Sequence, residues 1–425
     1  MPMTVSEKIL AAHAGLKEVS AGQYVEAQAD LTVTNDTSGH HLVRLCNELG
    51  IGPWDRRRFA IGLDHLVPAN EPESAHDHNV IREFARRHRL PHFADISCGN
   101  HLQIPVERGL VRPGMLIPGN DSHCTMFGAL GALGVGIGIT ETVELLATGR
   151  LWFKVPPTIR VRVEGRGLPS GVEAKDVVLE VARLLGCDGA TYSTLEFCGP
   201  AVEGMGLEER MTLCNMAVEV GAKAGVVEAD GVVAEYLSGR EDPNGQGEAW
   251  HLARNDPGAR FERTLVLQAA SLGPRVAVPP RVDAVVDVGE VRGTPITQAF
   301  IGSCTNGRLS DLAAAARILR GRRVAPGVRL IVTPLSREVV LAAVREGIIE
   351  ALLQAGALVT GVGCGACTGV CNGVLADDDV CVATINRNFP GRMGARQARI
   401  FLASPSTAAA SAVAGHLEDP RAFLE

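Results

Sequence analysis

Several short runs of the chain alternate hydrophobic and polar residues, which predicts β-strands, and other segments repeat apolar residues at helical spacing. The clearest strand is Thr158–Glu164 (TIRVRVE), which follows the paired prolines Pro156 and Pro157. Apolar side chains at helical spacing predict helices over Ala174–Leu185 and 207–220. Because prolines mark turns between folded segments, we place a boundary between two blocks near residue 155.

A second proline-marked segment, 273–280, precedes a region in which predicted strands and helices alternate. Strands are predicted over 296–301 and 328–333, and helices begin at Ser310, which suits an N-cap, and at Ser336. This alternation is typical of a parallel sheet covered by helices, in which ligands bind beyond the carboxyl ends of the strands. The sequence therefore predicts an α/β protein with three blocks, 1–155, 156–280 and 281–425.

Three local patterns suggest functions that the wider sequence argues against. The segment 122–140 lacks Asp, Glu, Lys and Arg, but its five glycines, its histidine and its hydroxyl residues predict a closely packed interior segment rather than a membrane span. Those glycines contain no G-x-G-x-x-G register, so a dinucleotide-binding loop is not predicted. The triplet His76-Asp77-His78 has metal-ligand residue types without nearby partners, and we predict that it lies at the surface.

Composition and charge narrow the possible partners. With 425 residues, 46% of them hydrophobic and 21% charged, the chain is large enough for several packed domains. Its 48 acidic and 41 basic residues give a formal charge of −7, so neither nucleic acid nor a membrane is an expected partner. The odd number of cysteines, 11, and a charged, helix-like segment 1–13 in place of a secretory signal predict a reducing, cytoplasmic location.

Three cysteines occupy positions where an α/β sheet binds ligands. Cys304 follows the predicted strand 296–301, and Cys364 and Cys367 form a C-x-x-C pair in a glycine-rich loop after the apolar run 357–362. Two thiolates three residues apart can chelate one metal centre, and thiolates are the usual ligands of iron–sulfur clusters. An iron–sulfur cluster fits this pattern best, and three cysteines for four irons leave one iron open as a Lewis acid.

Three other interpretations of these cysteines remain open. A thioredoxin-like disulfide requires the pair to start a helix, whereas the glycines within 365–373 predict a loop. A structural zinc site needs a fourth ligand, which Cys371, Cys381 or a histidine can supply. Unligated core cysteines account for isolated residues such as Cys46 but not for a C-x-x-C pair.

The motifs at 302–306 (GSCTN), 364–367 (CGAC) and 386–392 (NRNFPGR) resemble those of the aconitase superfamily, most closely the large subunits of 3-isopropylmalate dehydratase and homoaconitase. Similarity extends to Asp64-His65, Asp121-Ser122-His123 and the segment 210–225. The resemblance implies three α/β/α domains packed around a [4Fe–4S] cluster. It also implies a hydro-lyase that eliminates water from a hydroxy-di- or tricarboxylate and adds it back at the neighbouring carbon.

The resemblance assigns a role to each matching residue. The cluster ligands are Cys304, Cys364 and Cys367, and the residues beside the cluster are Asn306 and Asn386. Substrate binding falls to Asn35, Ser122, Arg387 and Arg392, and planar guanidinium groups suit the bidentate binding of carboxylates. The expected catalytic residues are Asp64, His65, His101, Asp121, His123 and Glu196, since a histidine held by a carboxylate transfers protons near neutral pH.

The sequence departs from the family pattern near these residues. The family has a histidine followed by glutamine where this chain has Leu102 and Gln103, so either His101 reaches the same space from one position earlier or the proton relay differs. Asn120 replaces a glycine, and Cys124 replaces a threonine, on either side of Asp121-Ser122-His123. These changes suggest an altered substrate rather than a lost cluster.

The resemblance also implies a partner subunit. Single-chain aconitases carry a fourth, mobile swivel domain that supplies a serine and further arginines, whereas this chain ends at Glu425, shortly after its third block. We therefore expect a separate small subunit, forming a heterodimer or a higher hetero-oligomer, and no activity without it.

The expected reaction is the isomerisation of 3-isopropylmalate and 2-isopropylmalate in leucine biosynthesis. Homoaconitase, or an enzyme for another malate analogue such as dimethylmalate or a phosphorus-containing malate, is the alternative. A cluster-sensing RNA-binding protein is the non-enzymatic alternative. An electron carrier would instead require four cysteines around a shielded cluster.

Overall fold

The computed structural model describes residues 1–424, and its first region is a parallel five-stranded sheet with an antiparallel two-stranded ribbon beside it. The strand order of the sheet is 4-3-2-5-6, and the ribbon pairs the first and seventh strands. The strands are β1 (Tyr24–Gln28), β2 (Thr32–Thr34), β3 (Phe59–Gly62), β4 (His92–Ala94), β5 (Leu116–Gly119), β6 (Leu133–Gly136) and β7 (Arg150–Lys154). The helices are α1 (Val5–Ala14), α2 (Asp36–Leu49), α3 (Pro72–His88), α4 (Gln103–Glu107) and α5 (Ile139–Thr148).

The second region is a parallel four-stranded sheet of order 10-9-8-11. Its strands are β8 (Thr158–Glu164), β9 (Thr194–Cys198), β10 (Ala224–Val226) and β11 (Arg263–Gln268), and its helices are α6 (Ala174–Leu185), α7 (Pro200–Glu203), α8 (Leu207–Met216) and α9 (Gly231–Ser238). The predicted bounds of β8 and α6 are confirmed. The helix predicted over 207–220 is α8 followed by a 3₁₀ turn, Ala217–Val220.

The third region is a seven-stranded sheet of order 13-12-18-17-14-15-16. Its strands are β12 (Arg275–Ala277), β13 (Val285–Asp287), β14 (Gln298–Ile301), β15 (Arg329–Val332), β16 (Leu358–Val359), β17 (Val380–Ala383) and β18 (Arg399–Leu402). Its helices are α10 (Val288–Val291), α11 (Ser303–Asn306), α12 (Leu309–Leu319), α13 (Arg337–Arg345), α14 (Ile348–Ala355) and α15 (Pro405–Ala414). The strands from β18 to β16 are parallel, as predicted, and β12 pairs antiparallel with both its neighbours. Because β12 precedes residue 281, this sheet begins before the predicted block boundary.

Two predicted helix starts have different outcomes. The hydroxyl of Ser336 accepts a hydrogen bond from the main-chain nitrogen of Val339 and caps α13, as predicted. Ser310 instead lies inside α12, and the prediction that it caps this helix is wrong. The N-cap is Arg308, whose main-chain nitrogen donates to the Asp311 carboxylate at 2.9 Å. An acidic residue in the first turn therefore satisfies the N-cap nitrogen of this helix.

The largest hydrophobic core joins side chains of all three regions, including Met126, Leu213 and Phe300, and it reaches Cys304 and Cys367. The predicted interior segment is part of this core, since the 3₁₀ helix Ser122–Leu130 and the strand after it are largely buried. Within residues 1–424, no helix is both long enough and apolar enough to cross a membrane. Cys304 and Cys367, two of the predicted cluster ligands, thus lie where side chains of the three regions meet.

Close packing of the interior segment generates a stability prediction. A Cβ atom added at Gly128 would overlap the main-chain oxygen of Gly225 on β10, and neither backbone can move without disturbing the core. We expect Gly128→Ala to lower the free energy of unfolding by about 3 kcal/mol, measured by urea denaturation. Gly231→Ala, at the exposed start of α9 with open space around its Cβ, is the control and should leave stability unchanged or slightly raised. Equal effects of the two substitutions would contradict the packing argument.

Candidate active site

A polar cavity of about 190 Å³ lies at the carboxyl ends of strands from the first and third regions. Asn35 follows β2, Asp121 follows β5, Cys304 follows β14 and Asn386 follows β17. Every lining residue carries a polar or sulfur atom in its side chain. The cavity is lined by Asn35, Thr37, Ser38, His65, Asn100, His101, Asn120, Asp121, Ser122, His123, Cys304, Cys364, Cys367, Thr368, Asn386, Arg387 and Arg392.

Two of the three predicted cysteine ligands accept hydrogen bonds from amide side chains. The Asn100 amide lies 3.1 Å from the Cys364 sulfur. The Cys304 sulfur accepts from the amides of Asn215 at 3.3 Å and Asn386 at 3.5 Å. Amide donors stabilise a sulfur atom that carries negative charge. At Cys364 burial outweighs them, with the neighbouring Asp64 carboxylate acting in the same direction, and the pKa of this thiol is raised well above its ordinary value.

The third sulfur, that of Cys367, lies beside a cation. The Arg392 guanidinium donates to it at 3.1 Å, and the Ser303 hydroxyl donates at 3.4 Å. Burial alone would raise the pKa of the Cys367 thiol, but Arg392, Ser303 and His123 together hold that pKa below its ordinary value. The site therefore favours the anionic form of this sulfur, which is the form that binds metals.

The donor set fits a metal cluster held by three protein thiolates. Cys304, Cys364 and Cys367 are all free and almost fully buried, and among residues 1–424 no other cysteine lines the cavity. The sulfur of Cys371 lies 3.0 Å from the main-chain oxygen of His65, and Cys381 lies within the core strand β17. The zinc interpretation needed a fourth ligand from Cys371, Cys381 or a histidine. Neither of these two cysteines lines the cavity with the three thiols.

One buried carboxylate orients two histidines toward the cavity. Asp64 Oδ1 lies 2.9 Å from His65 Nδ1, and Asp64 Oδ2 lies 2.9 Å from His101 Nδ1. Burial raises the pKa of the Asp64 carboxyl, but His101 and His65 outweigh burial and lower it below its ordinary value. Asp64, His65 and His101 also have the residue types of a mononuclear metal site, with ligand atoms within 4.8 Å of one another. Their mutual hydrogen bonds instead suit proton transfer, as in carboxylate-held histidines.

His101, rather than Leu102, faces the cavity. Leu102 is fully buried in the core, whereas His101 Nε2 is buried without a hydrogen-bond partner in the described part of the chain. The nearest acidic atom to it is Asp121 Oδ2, at 3.7 Å. An unpartnered buried nitrogen at a cavity wall is a position for a ligand oxygen.

A second carboxylate, that of Glu219, joins another histidine to an arginine. Glu219 Oε1 lies 2.7 Å from His123 Nε2, and Arg387 Nε donates to Glu219 Oε2 at 3.0 Å. Arg387 Nη2 also donates to the Ser122 hydroxyl at 2.9 Å, and Asp121 accepts from the main-chain nitrogen of His123 at 2.7 Å. Burial lowers the pKa of His123, but Cys304, Asp121 and Glu219 more than offset it and raise the pKa to about 10.

Three of the predicted residues, Asp64, Glu196 and Asn306, do not line the cavity, and Asp64 acts on it only through the two histidines that it holds. Glu196, on β9, is buried in an ion pair with Arg160 of the neighbouring strand and accepts from Asn255 at 2.9 Å, so it does not contact the site. Asn306 is buried behind the Cys304 turn, where its amide donates to Asp311 at 2.8 Å. Asn35 lines the cavity, but its side-chain oxygen also caps α2.

The surface prediction for the triplet His76-Asp77-His78 is wrong for its last two residues. Asp77 and His78 are buried because they lie on the face of α3 that packs against α2. His78 Nε2 lies 3.3 Å from Asp36, whose carboxylate also accepts from the main-chain nitrogen of His65 at 3.0 Å. Asp36 and His78 thus support a cavity residue from behind, and no local sequence pattern indicated this.

Two further supporting residues lay within a segment that the family resemblance had already marked. Asn215 and Glu219 belong to 210–225, but only the segment, not these residues, was singled out. Asn100 lies beside the shifted histidine in the sequence, and in the structure its amide donates to the Cys364 sulfur. The spatial partners of these side chains could be identified only from the fold.

The parallel sheets, the three buried thiols and the carboxylate-held histidines define an α/β protein with a buried, thiol-rich polar site. The family model for the aconitase family (aconitate hydratase) matches residues 7–415, and the chain belongs to this family. The predicted family and fold class are thereby confirmed.

Similar proteins span the whole chain. It is 47% identical to the 3-isopropylmalate dehydratase large subunit 1 of Methanopyrus kandleri, with 100% of both chains covered. It is 45% identical to the 3-isopropylmalate dehydratase large subunit 2 of Archaeoglobus fulgidus, again over 100% of both. It is 43% identical to the probable methanogen homoaconitase large subunit of Methanothermobacter thermautotrophicus, over 99% of this chain and 98% of the relative. The structure of Thermococcus kodakaraensis aconitase X (holo-form) has a similar fold, with a TM-score of 0.51, 13% identity and 92% of each chain covered.

The carboxylate that joins His123 to Arg387 generates a testable prediction. Glu219→Gln removes the negative charge between two cationic groups, and we expect the free energy of unfolding in urea to fall by about 2 kcal/mol. Glu164→Gln breaks the exposed ion pair with Arg162 and is the control, with an expected loss below about 0.5 kcal/mol. A loss no larger for Glu219→Gln than for the control would show that this carboxylate does not hold the two groups in place.

Proposed function

We propose that this chain is the cluster-binding large subunit of a hydro-lyase that interconverts 3-isopropylmalate and 2-isopropylmalate by loss and addition of water. The observation that carries the proposal is one polar cavity in which three buried thiols face carboxylate-held histidines and two arginines. Full-length relatives named 3-isopropylmalate dehydratase large subunit support the substrate class and a role in leucine biosynthesis.

The proposed cofactor is a [4Fe–4S] cluster held by Cys304, Cys364 and Cys367. The amide and guanidinium donors around these sulfurs support it, because they stabilise anionic ligands in a buried site. When bound, a cluster with one iron free of protein thiolates supplies the Lewis acid that loss of a hydroxyl group requires.

His101 is the proposed proton donor to the departing hydroxyl group. Its Nδ1 is held by Asp64, and its Nε2 lies at the cavity wall without a protein partner. A histidine fixed in this way presents its second nitrogen to a substrate oxygen and can transfer a proton to it. His65, held by the same carboxylate, and His123 complete the set of proton-transfer residues.

Arg387 and Arg392 are the proposed binding groups for substrate carboxylates. Both line the cavity, and a planar guanidinium group matches the two oxygens of a carboxylate. Glu219 and Ser122 fix the orientation of Arg387, so less side-chain freedom is lost when the substrate binds.

We further propose a small-subunit partner that covers the cavity. The relatives named as large subunits support it. The cavity supports it independently, because its lining within the described chain contains no aliphatic side chain. The branched hydrocarbon group of an isopropylmalate therefore has no apolar wall here, and we infer that the partner supplies it.

The second candidate function is a related isomerisation of another malate analogue, such as homoaconitase activity or conversion of dimethylmalate or a phosphorus-containing malate. The similarity to the probable methanogen homoaconitase large subunit supports it. The cavity also contains Asn120 and His101, two of the positions where the sequence departs from the family pattern.

Assays of the reconstituted pair test the substrate class. We expect the anaerobically prepared chain alone to be inactive. We expect the complex with its small subunit to dehydrate 3-isopropylmalate to the alkene faster than it dehydrates homocitrate, dimethylmalate or a phosphorus-containing malate. Absorbance of the alkene intermediate gives the rates. A preference for one of the other compounds would favour the second candidate, and no turnover of any of them would refute the proposed reaction class.

The cluster ligands generate a separate prediction. Cys364→Ser removes one of the three thiolates, and we expect iron and sulfide content and the visible absorbance of the cluster to fall by about 10-fold or more, with circular dichroism unchanged. Cys187→Ser, at a half-buried cysteine outside the cavity, is the control and should keep the cluster. A full complement of iron in Cys364→Ser would remove Cys364 from the ligand set.

A further inference from the structure

Lys175 is a buried cation that the proposed reaction does not use. It is the second residue of α6 in the second region, and its side chain is fully buried. Its ammonium group donates to the main-chain oxygens of Thr384 at 2.9 Å and Ile385 at 2.7 Å, both in the third region, and lies 3.8 Å from the sulfur of Met216. All three of these atoms are uncharged. In residues 1–424 the ammonium forms no ion pair with a carboxylate.

A buried ammonium without an adjacent anion is unusual, because removing a charge from water is costly unless an opposite charge compensates it. Arg210, another fully buried cation, has such compensation, since it donates twice to the Asp230 carboxylate at 2.8 Å. Burial lowers the pKa of Lys175 to about 7, and more distant anions act in the opposite direction. Those anions are Cys304, Glu219, Asp311 and Cys367. Two of the four are cysteines of the candidate site, so a negative charge on either sulfur would favour the charged form of Lys175.

The two oxygens that Lys175 binds belong to the chain segment that enters the site. Thr384 and Ile385 come directly before Asn386, which donates to the Cys304 sulfur, and Arg387, which lines the cavity. A lysine that fixes two consecutive carbonyl groups sets the path of the backbone from which the next two side chains project.

The same segment is tied to the turn that carries Cys304. The Thr384 hydroxyl donates to the main-chain oxygen of Gly302 and accepts from its nitrogen, both at 3.0 Å. These two hydrogen bonds join the end of β14 to the end of β17. Gly302 precedes Cys304 by two residues, and Thr384 precedes Asn386 by two residues. Lys175 reaches this junction from a helix of another region and holds its position relative to the cavity.

We propose that Lys175 is a positioning residue that anchors the segment carrying Asn386 and Arg387, and whose positive charge offsets the thiolates of Cys304 and Cys367. The inference rests on the proposed function, because it takes these thiols to be cluster ligands. Lys175 itself does not line the cavity and contacts no substrate.

The test compares Lys175→Met with Lys175→Arg in the anaerobically reconstituted complex with the small subunit. Lys175→Met keeps the side-chain length but removes the charge and the N–H donors. We expect the midpoint potential of the cluster to become more negative, because loss of a nearby cation disfavours an added electron. We also expect KM for 3-isopropylmalate to rise by about 10-fold, with a smaller change in kcat, since Arg387 loses its anchored backbone. Lys175→Arg should restore both values in part.

Lys223→Met is the matched control. Lys223 also donates to a main-chain oxygen, that of Gly136 at 2.8 Å, but the groups that act against burial to raise its pKa are Glu141 and Cys124, neither of which lines the cavity. Its substitution should change neither the cluster potential nor KM. If Lys175→Met is not recovered folded, Lys175→Gln, which keeps a neutral donor, replaces it in the same measurements.

Several outcomes would overturn the inference. These are a wild-type potential and KM in folded Lys175→Met, equal shifts in Lys223→Met, or loss of the fold in both neutral variants, which would show that the ammonium serves the fold alone. The proposed function fails in a distinguishable way. A wild-type complex without an iron–sulfur signal would overturn both proposals, whereas a normal wild-type signal with an unaffected Lys175→Met protein overturns only the role of Lys175.

Discussion

Three sulfur atoms buried at the junction of three regions set the main constraint on this structure. Cys304, Cys364 and Cys367 are at most 5% exposed, and two of them, Cys304 and Cys367, belong to the largest hydrophobic core, where a negative charge is costly. Each sulfur is therefore surrounded by donors, which are amides around Cys304 and Cys364 and a guanidinium and a hydroxyl around Cys367. Because these donors come from different parts of the chain, the sheets must pack in one arrangement for all of them to reach the sulfurs.

Two carboxylates each hold two of the functional side chains. Asp64 serves both His65 and His101, and Glu219 serves both His123 and Arg387. A carboxylate shared between two groups fixes the orientation of both, and it keeps the total charge of a buried site low. Removing one such carboxylate disturbs two functional side chains at once, so the effects of substitutions here will not be additive.

Local pattern was enough to predict much of the fold and part of the site. The alternation in Thr158–Glu164 and the amphipathic pattern of Ala174–Leu185 gave correct bounds, because these signals depend on residues a few positions apart. Strand ends also indicated where Cys304 would lie. The pairing of Glu219 with Arg387, 168 residues apart, was not predictable, because it depends on how two regions of the chain pack. The ion pair of Glu196 with Arg160 was not predictable either, because it depends on the register of two neighbouring strands.

The wholly polar wall of the cavity has a consequence for how selectivity is inherited. Under the proposed function, the polar side chains of this chain bind what every 2-substituted malate shares, namely its carboxylates and its hydroxyl group. The proposed partner would then contact the part that differs between such compounds. Duplication of the gene for that partner alone would change the preferred compound without altering any residue around the sulfurs, and selectivity and chemistry would evolve on separate genes.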